Sequence, residues 1–180
     1  MRKVEVVPYD TLWPFQFDIE AQKLQRILGG ETLDIYHIGS TSVKGLYAKP
    51  VIDIMPVVRD INRIDQFNRD METLGYEAKG ENDMAGRRFF RKGGDHRTHH
   101  VHIFEKGNTH IGRHLAFRDF FRHHSYEADN YSRLKLDLAA RFPDDMDAYI
   151  KGKDRVVKEI ERNALVWCQK GALPESEGYF

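Results

Sequence analysis

Two short apolar runs rich in β-branched residues, Asp34 to Ile38 and Val51 to Val58, constrain this chain more than any other feature. Each is bounded by Gly or Pro and too apolar to lie in water, so both read as buried strands. The link between them, Gly39 to Pro50, has the composition of a phosphate-binding loop. Around this pair, Val4 to Val7 reads as a short strand stopped by Pro8. Trp13 to Leu28, with Phe17, Ala21, Leu24 and Leu28 three or four apart, reads as an amphipathic helix ended by Gly29-Gly30. Ile61, Ile64, Phe67, Met71 and Leu74 mark a second helix closed by Gly75, and Tyr76 to Ala78 can pair as a strand. Arg88 to Arg91 and His99 to Phe104 are two more strands, and Lys92-Gly93-Gly94-Asp95 between them signals a hairpin.

From His110 onward the pattern is helical. Pro143 ends one helix and Asp144 is placed to cap the next, which carries Met146, Tyr149, Ile150, Val156, Val157, Ile160, Ala164 and Trp167 on its apolar stripe. Strands first and helices afterwards define an α+β chain. The expectation is one domain over residues 1–180, sheet-rich over 1–108 and helical over 109–170, with a frayed or loosely docked tail after Gly171.

Lys plus Arg and Asp plus Glu both count 28, so no net field favours nucleic acid or a membrane, and an anion site has to be local. The single cysteine, Cys168, cannot form an internal disulfide, and it lies beside Trp167 where a packed thiol is expected rather than a nucleophile. No signal core follows Met1, and no run of about 18 apolar residues could span a bilayer. The cytoplasm is the expected location.

A bound phosphate needs backbone N–H groups, hydroxyl donors and a nearby cation. Gly39, Ser40, Thr41, Ser42 and Lys49 supply all three, although Gly-Ser-Thr-Ser can also be a turn whose serines bond locally. Asp53 strengthens the phosphate reading, because a carboxylate between Ile52 and Ile54 is costly to bury without a cation or donors. A cap or an arginine pair is the alternative. Strand periodicity turns Val51, Asp53 and Met55 to one face, and that face should open to a pocket.

Four of the nine histidines, His96, His99, His100 and His102, fall within seven positions. On a strand His100 and His102 share a face with Phe104; with Asp53 they can form a set for a divalent transition metal or act as phosphate donors, and a half-exposed surface of alternating histidines is the alternative. His37, one strand away, is available to join. Of Arg87 and Arg88, opposite-facing neighbours, at most one can reach the pocket, and Arg88 is the one expected to neutralise phosphate. Arg113, His114, Arg118 and Arg122 sit at helical spacing, either as cations for an anionic ligand or as a solvated face. Tyr131 and Lys135 are the remaining candidates from the helical half.

The segments His37-Ile38-Gly39-Ser40-Thr41-Ser42-Val43, Lys49-Pro50-Val51-Ile52-Asp53-Ile54, Arg97-Thr98-His99-His100-Val101-His102 and His114-Leu115-Ala116-Phe117-Arg118-Asp119-Phe120 resemble the GrpB family. That family is a set of small bacterial proteins placed in the nucleotidyltransferase superfamily. The resemblance implies a mixed sheet of the polymerase-β type flanked by helices, and a cytoplasmic protein. In active nucleotidyltransferases the second strand carries Asp-x-Asp or Asp-x-Glu; here Asp53 matches the second acid and Val51 stands at the first. Two-metal phosphoryl transfer uses shared carboxylates to hold ions about 4 Å apart, and one carboxylate cannot easily hold two magnesium ions.

The expected function is therefore binding of a nucleotide or other phosphorylated small molecule, with transfer of a nucleotidyl or phosphoryl group assisted by magnesium, manganese or zinc. Ser40, Ser42 and the loop amides would hold phosphate, Lys49, Arg88, Arg118 and Lys135 would contact it, and Asp53, His100 and His102 would bind metal or act as acid and base. Two alternatives stand beside it: a non-catalytic ligand-binding or regulatory domain, and a histidine-assisted metal-dependent phosphoesterase.

Overall fold

The two apolar runs are neighbouring strands. In a computed structural model of the chain, which describes residues 3–171, β1 (Thr32–Ile38) and β2 (Ile52–Val58) pair antiparallel, with Ile38 opposite Asp53. With β3 (Tyr76–Ala78), β4 (Arg87–Lys92) and β5 (His99–Glu105) they form a five-stranded sheet in the order β1-β2-β5-β4-β3. β2 and β5 run parallel and the other neighbours antiparallel, so the sheet is mixed. The β4–β5 hairpin follows the Gly93-Gly94 turn signal. The tail after Gly171 lies outside the described residues.

Each face of the sheet buries a separate set of side chains, because alternate residues point to opposite sides. Ile52, Ile54, Val101 and Ile103 pack under α1 (Trp13–Leu28) and α2 (Asn68–Thr73), joined by Trp13, Leu24, Leu28 and Met71. Met55, Val57 and Phe104 face the other way, against Ile111 and Leu115 of α3 (Thr109–His123). α3, α4 (Ser125–Arg141) and α5 (Met146–Gln169) pack together on that side over Phe120, Phe121, Tyr131, Ile160 and Ala164. Burial of each such large apolar side chain stabilises the fold by about 1.5–3 kcal/mol. The helical half thus covers the face that carries Asp53.

Three local expectations are corrected. Val4 to Val7 is not a strand: Val7 makes an isolated bridge with Ala48, while the Val4 N–H donates to the Pro143 carbonyl and so ties the N-terminal segment to the helical half. The helix expected over Ile61 to Leu74 begins as a 3₁₀ segment, Ile61–Phe67, before α2. Ile61, Ile64 and Phe67 are spaced by three, a period that lines them up on one side of a 3₁₀ helix. Asp145, rather than Asp144, caps α5 by accepting from the Ala148 N–H.

Candidate anion and metal site

Asp53 and His100 are paired across β2 and β5, and His102 follows on the same face. The sheet register thus brings three ionisable side chains together without any loop contribution. One oxygen of Asp53, Oδ1, is shared by His100 Nδ1 at 3.1 Å and His102 Nε2 at 3.3 Å. The other, Oδ2, lies against Gly39, where a Cβ would come within 2.6 Å of it. Gly39 has φ +70°, so this close approach and the backbone conformation both call for glycine. Burial alone would raise the Asp53 pKa, but the two histidine hydrogen bonds and their charges outweigh it and hold the carboxyl well below its usual range.

The tautomers follow from the neighbours. Arg87 NH1 lies 3.4 Å from His102 Nδ1 and can only donate, so Nδ1 accepts and Nε2 carries the proton given to Asp53. Burial lowers the His102 pKa despite Asp53. One ligand atom from each of Asp53, His100 and His102 lies within 4.8 Å of the others, and this N,N,O set suits manganese or zinc better than the oxygen-rich shell magnesium prefers. Val51, only 5% exposed, adds apolar surface where a second carboxylate would be needed for two magnesium ions. A metal on His102 Nε2 would displace the proton and turn Nδ1–H towards Arg87, so His100 and Asp53 are the readier ligands.

The cavity beside this cluster is rich in lysine. A cavity of about 250 Å³ is lined by Gly39, Ser40 and Thr41, by Asp53 and His100, and by Lys49, Lys135 and Lys153. Lys135 of α4 is 2% exposed; its Nζ donates to Ser40 Oγ at 3.0 Å and to the Tyr47 carbonyl, and lies 4.4 Å above the Tyr131 ring. Burial, with Lys153 and Lys49 nearby, lowers its pKa to about 7. Lys49 and Lys153 both lie over the Tyr149 ring, at 5.4 and 5.8 Å from its centroid. Burial lowers Lys153 as well, partly offset by the Asp53 charge.

The structure brings together Gly39, Ser40, Thr41, Lys49, Asp53, His100, Tyr131 and Lys135 around this cavity, with His102 directly behind Asp53. It does not bring in four others. Arg88 points to the opposite face and forms a two-point ion pair with Asp65, at 2.8 and 3.0 Å, while Arg87 takes the place beside the histidines. Arg118 is buried in a two-point pair with Asp119 and also donates to the His37 carbonyl, which makes it neither a ligand contact nor a solvated charge. The Ser42 hydroxyl donates to the Gly39 carbonyl at 2.5 Å and so closes the loop on itself. His37 turns to the α1 face, stacks on Phe17 and meets Thr41 Oγ1 at 3.0 Å, and burial lowers its pKa to about 4.

Sequence reasoning passed over Lys153 and Glu161, read Tyr149 as part of an apolar helical stripe, and gave His114 no role of its own. Lys153 had a visible signal: it lies four residues after Tyr149 and three before Val156, a charged residue on an apolar helical stripe. His114 lines the cavity with its ring 5.7 Å from His102, and burial holds it well below the ordinary histidine value. Glu161 is paired with Arg113.

Fold and site together define an α+β protein whose sheet presents Asp53 and His100 to a lysine-lined cavity, with His102 hydrogen-bonded to Asp53. The GrpB protein family model matches residues 3–163, and the chain belongs to that family. It is 49% identical to the UPF0157 protein YqkA of Bacillus subtilis over 92% of its length, and it spans about half (48%) of that relative. The crystal structure of the conserved protein GrpB from Enterococcus faecalis superposes with a TM-score of 0.89 at 44% identity, covering 92% of this chain and 99% of that one. A more distant likeness, TM-score 0.45 at 13% identity, is to the Cid1 poly(U) polymerase bound to MgATP, over 72% of this chain and 45% of that one. Among the described residues no helix is long and apolar enough to cross a membrane.

Proposed function

We propose that this protein binds a nucleotide or another phosphorylated small molecule in the lysine-lined cavity, as a nucleotidyltransferase-like member of its family acting in the cytoplasm. One observation carries the reading: Lys49, Lys135 and Lys153 line one cavity together with the Gly39 to Thr41 loop and Asp53. Three lysines share the cavity with Asp53, held by two histidines, and Glu161, paired with Arg113, and an anion there would favour the charged form of each lysine, in a chain with no net charge. Ser40 and the loop amides would orient a phosphate, and the lysines would stabilise charge that builds on it during transfer. Asp53 and His100, with His102 as the less ready third ligand, would hold a manganese or zinc ion, which would polarise a phosphoryl oxygen.

A second reading, ligand binding without transfer, is favoured by Val51, since its side chain cannot supply the carboxylate that two-metal transfer shares. Thermal unfolding separates the outcomes. Nucleoside triphosphates at about 100 times their dissociation constant should stabilise the protein by about 2.7 kcal/mol, raising Tm by about 5–10 °C. Lys153→Met should remove most of the shift. A protein whose Tm responds to no nucleotide and no simple phosphate ester, with or without manganese or zinc, would refute the proposal. Turnover that Asp53→Asn abolishes would favour transfer over binding alone.

A further inference from the structure

The contact between Ser40 and Lys135 has a property that phosphate binding does not require. Ser40 is the first residue of a single 3₁₀ turn, directly after Gly39, and its side chain is half-buried at the cavity wall. Lys135 Nζ reaches Ser40 Oγ at 3.0 Å from 95 residues away in the chain. The lysine is oriented by a third group: Tyr47 accepts from Nζ through its carbonyl while its N–H donates to Ser132 Oγ, three residues before Lys135 on α4. The groups touching Nζ are therefore neutral, a hydroxyl, a carbonyl and a tyrosine ring face, whereas Lys92 and Lys23 each meet the carboxylate of Glu20. A hydroxyl within hydrogen-bond reach of a desolvated amine, itself oriented by a third group, is the arrangement that activates serine nucleophiles.

We propose that Ser40 and Lys135 are a nucleophile and its general base, directed at an electrophilic phosphorus centre in the cavity. The Ser40 Oγ–P bond forms as the bond from phosphorus to its leaving group breaks, and the serine proton passes to Lys135 Nζ. With a nucleoside triphosphate attacked at its α-phosphorus, the leaving group is pyrophosphate and the product a nucleotidylated Ser40. Lys49 and Lys153 line the same cavity and would receive the charge on the leaving oxygens. Near neutral pH a large fraction of Lys135 is already unprotonated, as a base must be, because burial and the two neighbouring lysines lower its pKa to about 7. The pair belongs to the cavity proposed above, but its reactivity does not depend on a nucleotide being the ligand.

A fluorophosphonate ester bearing a fluorescent tag tests the pair without the natural substrate: Oγ–P forms, P–F breaks, and fluoride leaves as Lys135 takes the proton. The native protein should be labelled on Ser40, located by peptide mass mapping, at a rate that rises with pH through about 7. Ser40→Ala should abolish the label, and Lys135→Met should slow it about a hundredfold or more. If Lys135→Met unfolds, Lys135→Arg keeps a long cationic side chain that cannot act as a base and should show the same loss. Absence of labelling at Ser40 in the native protein, a rate flat between about pH 6 and 8.5, or full labelling in a folded Lys135 variant would each overturn the pair. Labelling at Ser40 in a protein that no nucleotide stabilises would uphold the pair while removing the nucleotide.

Discussion

At the scale of single residues, the site depends on an absent side chain as much as on those present. Gly39 has φ +70°, and a Cβ there would meet Asp53 Oδ2 at 2.6 Å and the Asp53 Cγ at 3.2 Å. Asp53 cannot retreat easily, because its other oxygen is held by both histidines. Gly39→Ala should therefore destabilise the fold by about 1–3 kcal/mol through backbone strain, and push the carboxylate out of its histidine clamp. Urea unfolding reads the first effect and titration with manganese or zinc the second. An alanine variant as stable as the parent, with the same response to metal, would show that the approach is not constraining. The Asp53, His100 and His102 cluster was legible in the sequence because strand alternation is a strict period of two, and the parallel register needed only to match. The role of Gly39 as a partner of Asp53 was not, since periodicity says nothing about what lies across a gap.

At the scale of elements, α3 acts as a clamp on the loop rather than as a wall of ligand cations. Arg118 donates to the His37 carbonyl just before the loop's opening turn, Gly39 to Ser42, and Arg122 donates to the Ser42 carbonyl at the end of that turn, with contacts of 2.9 and 3.2 Å. Asp119 binds both arginines, at 2.7 and 2.9 Å to Arg118 and 3.3 Å to Arg122. Helical spacing correctly placed these residues on one helix, but the same spacing fits a ligand face, a solvated face or a buried clamp. What decides is the packing of α3 against β1, which lies some 80 positions away in sequence and is invisible to a local pattern. Arg118 and Asp119 are 6% and 4% exposed, so Asp119→Asn weakens the charge compensation of a buried guanidinium. It should cost about 3 kcal/mol or more, measured by thermal or denaturant unfolding, and the nucleotide-induced shift in Tm should shrink because the loop ends are no longer fixed. Unchanged stability in that variant would contradict the clamp.

At the scale of the whole molecule, a chain with no net charge gathers buried lysines around one cavity, and because burial favours their neutral forms this couples ligand binding to protons. Lys135 has a folded pKa of about 7 against an ordinary value of 10.5, so between those values the unfolded chain holds the proton that the folded protein releases. Stability of the ligand-free protein should therefore rise with pH across that window as far as this group is concerned, by up to roughly 5 kcal/mol in total. An anion in the cavity reverses the sign, since a negative charge beside Nζ favours the ammonium and raises its pKa. Binding should then take up a fraction of a proton per site at pH 7 and at pH 8.5, and affinity should fall as pH rises through that range, while the Lys135 left unprotonated remains the base for Ser40. Calorimetric titration of a nucleoside triphosphate in buffers of different ionisation enthalpy measures the uptake directly. In Lys135→Met the uptake should drop sharply, leaving what Lys153 and the ligand itself contribute, because the same burial lowers Lys153 too. Binding with no proton uptake at either pH would mean that the ligand charge does not reach Lys135.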